Sequence, residues 1–256
     1  VPRHSSCTVT ETDAAGASTP APPQTVAVGE APASVTLTNE FATGAFDVTV
    51  TSVTRNAAGD TVAGVVMDAG PLRFGVACVL DGRRVPLPAA EGVLTVDGAA
   101  TFATGGVTKA VTGVPIGAVC EISPFPTNRA TSSFEVNGTP QDGDAARITV
   151  AATRGVVGVT ESFALAPLSV APTVAGDGAP PAGFPYGFTA ACRYNGQPVT
   201  VPVSLSIHVA AGVTMAFPGL VPVGASCTVT ETDTGGASAT SYPEGATVTV
   251  AADGAV

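Results

Sequence analysis

Scarcity narrows the function of this chain before any motif does. Its 256 residues hold one lysine, Lys109, among ten lysines and arginines, and two histidines, His4 and His208. The net charge of −10 is spread thinly, with no basic patch and no acidic run. Nucleic acids and anionic membranes bind clustered Lys and Arg, so neither is an expected partner. No apolar run reaches transmembrane length, so no membrane insertion is expected within this stretch, and neither a signal peptide nor a wall-sorting tail is visible. No segment holds a 3.6-residue period for three turns, which excludes a helical fold. No Ser/His/Asp or Cys/His set can be assembled and no glycine-rich phosphate loop follows a strand. The chain is therefore read as no enzyme, with no cofactor.

What is present favours strands. The apolar residues are mainly Val and Ala, Thr is abundant, and 30 Gly and 22 Pro punctuate the chain. Val and Thr are stiff at Cβ and fit a pleated surface, while Gly and Pro mark turns. The length accommodates about two domains of roughly 100–150 residues. The expected class is all-β.

One strand is written twice and echoed once more. Val1-Pro2-Arg3-His4-Ser5-Ser6-Cys7-Thr8-Val9-Thr10-Glu11 near the start matches Val221-Pro222-Val223-Gly224-Ala225-Ser226-Cys227-Thr228-Val229-Thr230-Glu231 near the end. Val114-Pro115-Ile116-Gly117-Ala118-Val119-Cys120 is a degenerate copy between them. Cys, Val and Glu alternate with Thr, as in a strand with one buried and one wet face. The spacing of the copies is domain-sized, so the chain is a tandem repeat.

Three units follow from this register. Residues 1–41 read as the C-terminal part of a truncated repeat, ending on a strand from Ser34 to Phe41 after the Pro-rich loop at 18–23. Residues 42–163 read as a complete repeat, opening on Phe46 to Val53 and closing on Val156 to Phe163. Residues 164–256 repeat the order and stop at Ala255-Val256, where the closing strand should begin. Asp81-Gly82 and Asn195-Gly196 are matching hairpin signals. Val201 to Val209 alternates, placing Val203, Leu205, Ile207 and Val209 on one face. Phe41 to Gly44 and Phe163 to Ala166 read as short linkers. The absent last strand implies either a window cut from a longer array or a strand donated by a neighbouring chain.

The cysteines occupy matching places. Cys78 with Cys120, and Cys192 with Cys227, each join an F-x-V/A-x-C strand to the repeated strand. Their alternation turns the sulfurs inward, as an inter-strand or inter-sheet disulfide requires. Closely spaced cysteines and nearby His, which a metal site needs, are missing. Loops of this size stabilise by about 3–4 kcal/mol in the chain-entropy model. Cys7 is left unpaired by truncation, since its partner would precede the segment. Stable disulfides imply an oxidising, extracellular location.

The stretch Gly219 to Thr232, G-L-V-P-V-G-A-S-C-T-V-T-E-T, resembles the G-L-x-x-G-x-Y-x-L-x-E signature of Cna-B-like (transthyretin-like) domains. Those build adhesin stalks and pilus shafts of Gram-positive bacteria. The pattern is more similar still to a repeat family of uncharacterised function in surface proteins of high-GC Gram-positive bacteria. The resemblance implies tandem Ig-like or transthyretin-like β-sandwiches. It also implies an isopeptide bond between a first-strand Lys and a last-strand Asn, assisted by a buried Glu. Glu11 and Glu231 match that Glu and Asn39 roughly matches the Asn, but the complete repeat has Pro124 and Glu161 at those places. No first strand contains Lys, and Lys109 precedes Cys120 instead. No isopeptide is expected, and Glu11 and Glu231 are read as vestigial, bonded to backbone or hydroxyls.

Other candidates reduce to surface features. His208 lies on an outward face, and Asp142-Gly143-Asp144 offers too few oxygens for Ca²⁺ and reads as a solvated turn. The N-glycosylation pattern Asn137-Gly138-Thr139, the Ser/Thr residues at 18–23 and the Thr-x-Thr rows read as exposed loop and wet strand faces. The function expected is a structural stalk or filament segment of an extracellular bacterial surface protein. Its partners would be neighbouring repeats or copies of the same protein. The alternative is an adhesin repeat gripping a host protein or glycan, with the insertion from Arg55 to Leu72 as the gripping loop.

Overall fold

The structure is a computed structural model. It describes all residues except 104, 177–182, 237, 238, 240, 242–245, 255 and 256. The expected start of a closing strand at Ala255-Val256 and the middle of the loop before Phe188 therefore lie outside the described residues.

The chain is all-β. An N-terminal hairpin pairs β1 (Ser5–Val9) with β2 (Gln24–Val28). A first sandwich follows, from β3 (Thr43–Arg55), β4 (Pro71–Leu80), β5 (Arg83–Val85), β6 (Val93–Asp97) and β7 (Val107–Pro115). It continues through β8 (Val119–Pro124), β9 (Thr131–Val136), β10 (Thr139–Gln141), β11 (Ala146–Thr149) and β12 (Gly155–Val170). One sheet runs β10-β9-β12-β3-β7; the other runs β11-β8-β4-β5, with β6 also on β4. The second sandwich adds β13 (Pro185–Tyr194), β14 (Gln197–Pro198), β15 (Ser206–Ala210), β16 (Met215–Pro222), β17 (Ser226–Asp233) and β18 (Thr247–Thr249).

Alternation explains the layers. Along β3, Phe46, Val48 and Val50 are buried, while Thr49 and Thr51 face outward. The outward hydroxyls pair across strands, Thr49 with Thr108 at 2.9 Å and Thr51 with Thr160 at 3.2 Å. Such cross-strand pairs stabilise a sheet by a few tenths to about 1 kcal/mol each. The opposite sheet contributes Phe74, Val76, Cys78, Cys120 and Ile122 to the same interior. β3 and β12 run parallel, which requires the long crossover that the rest of the repeat supplies.

The second and third copies of the repeated motif form the same local structure. In Pro115-Ile116-Gly117-Ala118 the Ala118 N–H donates to the Pro115 carbonyl, and Gly117 takes φ +91°. In Pro222-Val223-Gly224-Ala225 the equivalent bond forms and Gly224 takes φ +87°. A glycine with positive φ at the third position is what a type II turn demands.

Three expectations are corrected. Ser34 to Phe41 alternates but is no strand: Glu40 bridges Thr19, and no described strand lies along the rest. In the first sandwich the equivalent segment is held by a parallel ladder to β3, and alternation without a neighbour does not make a sheet. The run from Val201 to Val209 is a strand only over β15, and Val203 is 44% exposed. The expected linker from Phe163 to Ala166 is the middle of β12, a single sixteen-residue strand.

Candidate functional site

β12 belongs to both sandwiches. Gly155 to Ala164 pairs with β3, and Val157 to Ser162 pairs with β9 on the other side. From Leu165 onward the same strand pairs with β16 of the second sandwich. Pro167 lacks an N–H and would break a regular ladder, but the register shifts between Pro167 and Ser169. A bulge is where a strand tolerates proline. The junction between sandwiches is therefore a strand, with no loop in it.

Four further contacts brace this crossing. Val223, in the repeated turn, donates its N–H to the Ala164 carbonyl at 2.9 Å. Ile116 does the same to Ala42 at 2.9 Å, so the motif clips the chain where each unit opens. Val66 and Thr200 exchange both backbone hydrogen bonds at 2.8 Å. The Asn195 side chain donates Nδ2–H to the Ala69 carbonyl at 2.9 Å. Finally, Phe163 on β12 packs between Phe102 of the first sandwich, 5.8 Å away, and Tyr194 of the second, 6.3 Å away and edge-on. Phe163 and Tyr194 are buried, and burial raises the Tyr194 hydroxyl above its ordinary range while Arg129 partly offsets this. The buried apolar residues of the two sandwiches form one contiguous cluster among the described residues.

Part of the insertion from Arg55 to Leu72 lies at this junction, while Ala57 to Thr61 are exposed. Val65, Met67 and Ala69 are buried, and Val66 bridges the second sandwich. This loop is engaged in the junction, which no sequence pattern within the loop reveals.

The hairpin turns do similar work. Asn195-Gly196 has φ +49° and +80°, and Asp81-Gly82 has φ +47° and +74°, the paired positive values of a type I′ turn. The first reaches Ala69 of the preceding sandwich. Beside the second, Arg83 meets Asp13 of the N-terminal segment at 3.2 Å, and Gly16 closes against Asp81 and Leu80. Each turn leans on the unit before it.

The structure joins Cys78 to Cys120 and Cys192 to Cys227. Each pair is directly opposed in one antiparallel ladder, β4 with β8 and β13 with β17. The bonds therefore lie within a sheet, across neighbouring strands. Cys7 is free and half-buried, opposite Val26 on β2 as Cys120 is opposite Ile148 on β11.

The carboxylates separate into two environments. Glu11 accepts a hydrogen bond from Asn39 Nδ2 at 2.6 Å, while Asn39 Oδ1 accepts from the Ala21 N–H at 2.9 Å. Its partner is thus a side-chain amide, where backbone or a hydroxyl was expected. Glu231 lies half-buried on β17, in register with Phe188. Glu161 is fully buried on β12, opposite Ser52 on β3 and Ser132 on β9. Ser132 Oγ donates to Oε1 at 2.9 Å, and Oε2 has no partner among the described residues. Burial holds this carboxyl above the usual carboxylate range, and hydrogen bonds from Ser132 and Asn128 offset part of the rise. Lys109 is exposed on β7, and β3 carries Ser52 where it faces Glu161. His4, His208, Asp142 and Asp144 are exposed. Among the described residues no three His, Cys, Asp or Glu gather as metal ligands.

A family model described as a domain of unknown function, DUF5979, matches residues 46–164 and again 168–256. The chain belongs to this family. The two matches meet within β12. No curated protein matches the chain. Among solved structures, the chain is similar to a bacterial adhesin from Mobiluncus mulieris containing intramolecular disulfide, isopeptide and ester bond cross-links. That likeness has 23% identity and a TM-score of 0.32, covering 47% of this chain and 41% of that one. It is also similar to the major pilin protein T-13 from Streptococcus pyogenes, at 12% identity and a TM-score of 0.41, covering 83% and 94%. A pilus-presented adhesin, Spy0125 (Cpa), is similar at 11% identity and a TM-score of 0.28, covering 46% and 27%. The chain thus spans less than half the length of the two adhesins.

Proposed function

We propose that the chain is a stiff structural spacer in an extracellular bacterial surface protein, part of a stalk or filament of tandem sandwiches. The observation that carries this reading is β12, shared by both sandwiches and clipped at Ala164 by the repeated turn. Bending at this joint must break strand pairing, the Val66–Thr200 bridge and the packing of Phe163, so the sandwiches hold one relative orientation. Domains joined by loops over small polar interfaces move relative to one another by default. This joint has no loop and an apolar interior.

Each disulfide adds a limit to extension, because the residues between its cysteines cannot be drawn out under tension. Disulfides suit an oxidising compartment outside the cytoplasm. Neighbouring repeats or further copies of the protein are the partners such a spacer needs. Of the insertion from Arg55 to Leu72, on which the adhesin alternative relies, Val66 and Ala69 are bonded to the second sandwich, while Ala57 to Thr61 are exposed.

Small-angle X-ray scattering tests the reading. The chain should scatter as one rigid elongated body, and a flexible Gly/Ser insertion between Ala164 and Leu165 should broaden its pair-distance distribution. Indistinguishable curves would show that the joint was already flexible.

A further inference from the structure

We propose that Asn195-Gly196 is a self-modifying latch, in which opening of the junction frees the Asn195 amide to deamidate and the lost amide then keeps the junction loose. The inference rests on the stiff-spacer reading of the same joint.

The geometry supplies each requirement. Asn195 and Gly196 are exposed at the tip of the β13–β14 hairpin, beyond the last paired residues Tyr194 and Gln197. A side chain added at Gly196 would meet nothing within 4 Å, so this turn tip is open to water. What restrains Asn195 is its own hydrogen bond: Nδ2 is held on the Ala69 carbonyl, across the junction. The same amide is therefore both the reacting group and the latch.

The chemistry needs only water. The Gly196 backbone nitrogen attacks Asn195 Cγ, its proton passes to the departing amide, and ammonia leaves. The five-membered succinimide then takes up one water at either carbonyl. Cleavage of that C–N bond leaves a carboxylate at position 195, with the chain running through the α- or the side-chain carbonyl. A carboxylate has no hydrogen to donate to the Ala69 carbonyl and is repelled by that oxygen. The step is irreversible, so the joint would retain a record of having opened. In the first sandwich the corresponding turn already carries an acid, Asp81, and there the neighbouring contact is the Arg83–Asp13 ion pair instead.

Asn137-Gly138 provides an internal control. It is the same dipeptide in a similar turn, but Asn137 Oδ1 accepts from the Val156 N–H within the first sandwich. Peptide mapping of the full chain during incubation at mildly alkaline pH follows both sites together. Val66→Pro removes one donor of the bridge to Thr200 and should speed conversion at Asn195 about fivefold, the population change that one lost hydrogen bond brings. Asn137 should convert at its original rate; acceleration at both sites would signal unfolding and count against the latch. Asn195→Asp should broaden the distance distribution between the sandwiches without lowering the melting temperature of the chain. Equal Asn195 rates in the two proteins, or an unchanged distribution in Asn195→Asp, overturns the proposal. A broad distribution in the unmodified protein would instead overturn the stiff-spacer reading beneath it.

Discussion

Val223 donates its backbone N–H to the Ala164 carbonyl, as Ile116 does to Ala42, so one turn of the repeated motif seals each crossing between units. Gly224 and Gly117 make that turn possible by taking positive φ. A Cβ at Gly224 would reach Tyr194 at 3.7 Å, an ordinary contact, so the constraint there is the backbone rather than space. Replacing Gly224 with Ala should therefore destabilise the second sandwich by about 1 kcal/mol or more through strain alone. Thermal denaturation checks it, and an unchanged melting temperature would refute the account of the turn.

Phe163 couples the sandwiches through their interiors. Truncating it to Ala removes a buried ring lying between Phe102 and Tyr194, a loss that costs about 3–5 kcal/mol in a packed core. The predicted result is that one unfolding transition becomes two in calorimetry. A single transition at reduced temperature would mean that β12 alone carries the coupling.

Glu161 makes the first sandwich pH-dependent. Its carboxyl is raised in the folded state by burial, so its contribution is fully favourable below the ordinary Glu range. That contribution is lost as pH rises through the raised folded value, where an ion must form with no partner on Oε2 among the described residues. Denaturant titrations should show stability falling over this window on the way to neutral pH. Glu161→Gln should flatten the fall and be more stable at neutral pH by about 1 kcal/mol, the scale of one unsatisfied buried polar group. Parallel curves for the two proteins would show that Glu161 stays protonated throughout.

The disulfides set how far each sandwich lengthens under load. Cys78 and Cys120 are 42 residues apart in sequence, and that loop is locked while the bond is intact. Single-molecule pulling after reduction should release on the order of 140–150 Å more chain from the first sandwich. In the chain-entropy model, reduction also costs about 4 kcal/mol. No change in released length on reduction would contradict the pairing of Cys78 with Cys120.

Much of the fold was legible because it is local or repeated. The inward phase of Cys78, Cys120, Cys192 and Cys227 follows from strand alternation and from finding each motif more than once. The two hairpin turns follow from Asp81-Gly82 and Asn195-Gly196. The junction was not legible, for physical reasons. Phe163 to Ala166 looks like a linker with Pro167 directly after it, since proline ordinarily ends a ladder, and only the bulge between Pro167 and Ser169 shows how β12 passes through. The docking of Val66 on Thr200 joins residues far apart in sequence through backbone atoms, which carry no residue signature. Ser34 to Phe41 misled because alternation records a face and not a neighbour. Glu161 carried a signal that could have been used: it is in phase with Val157, Val159 and Phe163, so its burial between Ser52 and Ser132 follows from period two.

The central claim is that the two sandwiches hold one orientation. The most direct measurement is a pulsed electron-spin distance distribution between labels on exposed strand positions, Ser133 on β9 and Thr230 on β17, in a Cys7→Ser background with both disulfides intact. The account predicts one narrow distance that broadens when Val66→Pro and Phe163→Ala are combined. A broad or multi-peaked distribution in the otherwise unaltered chain would contradict it.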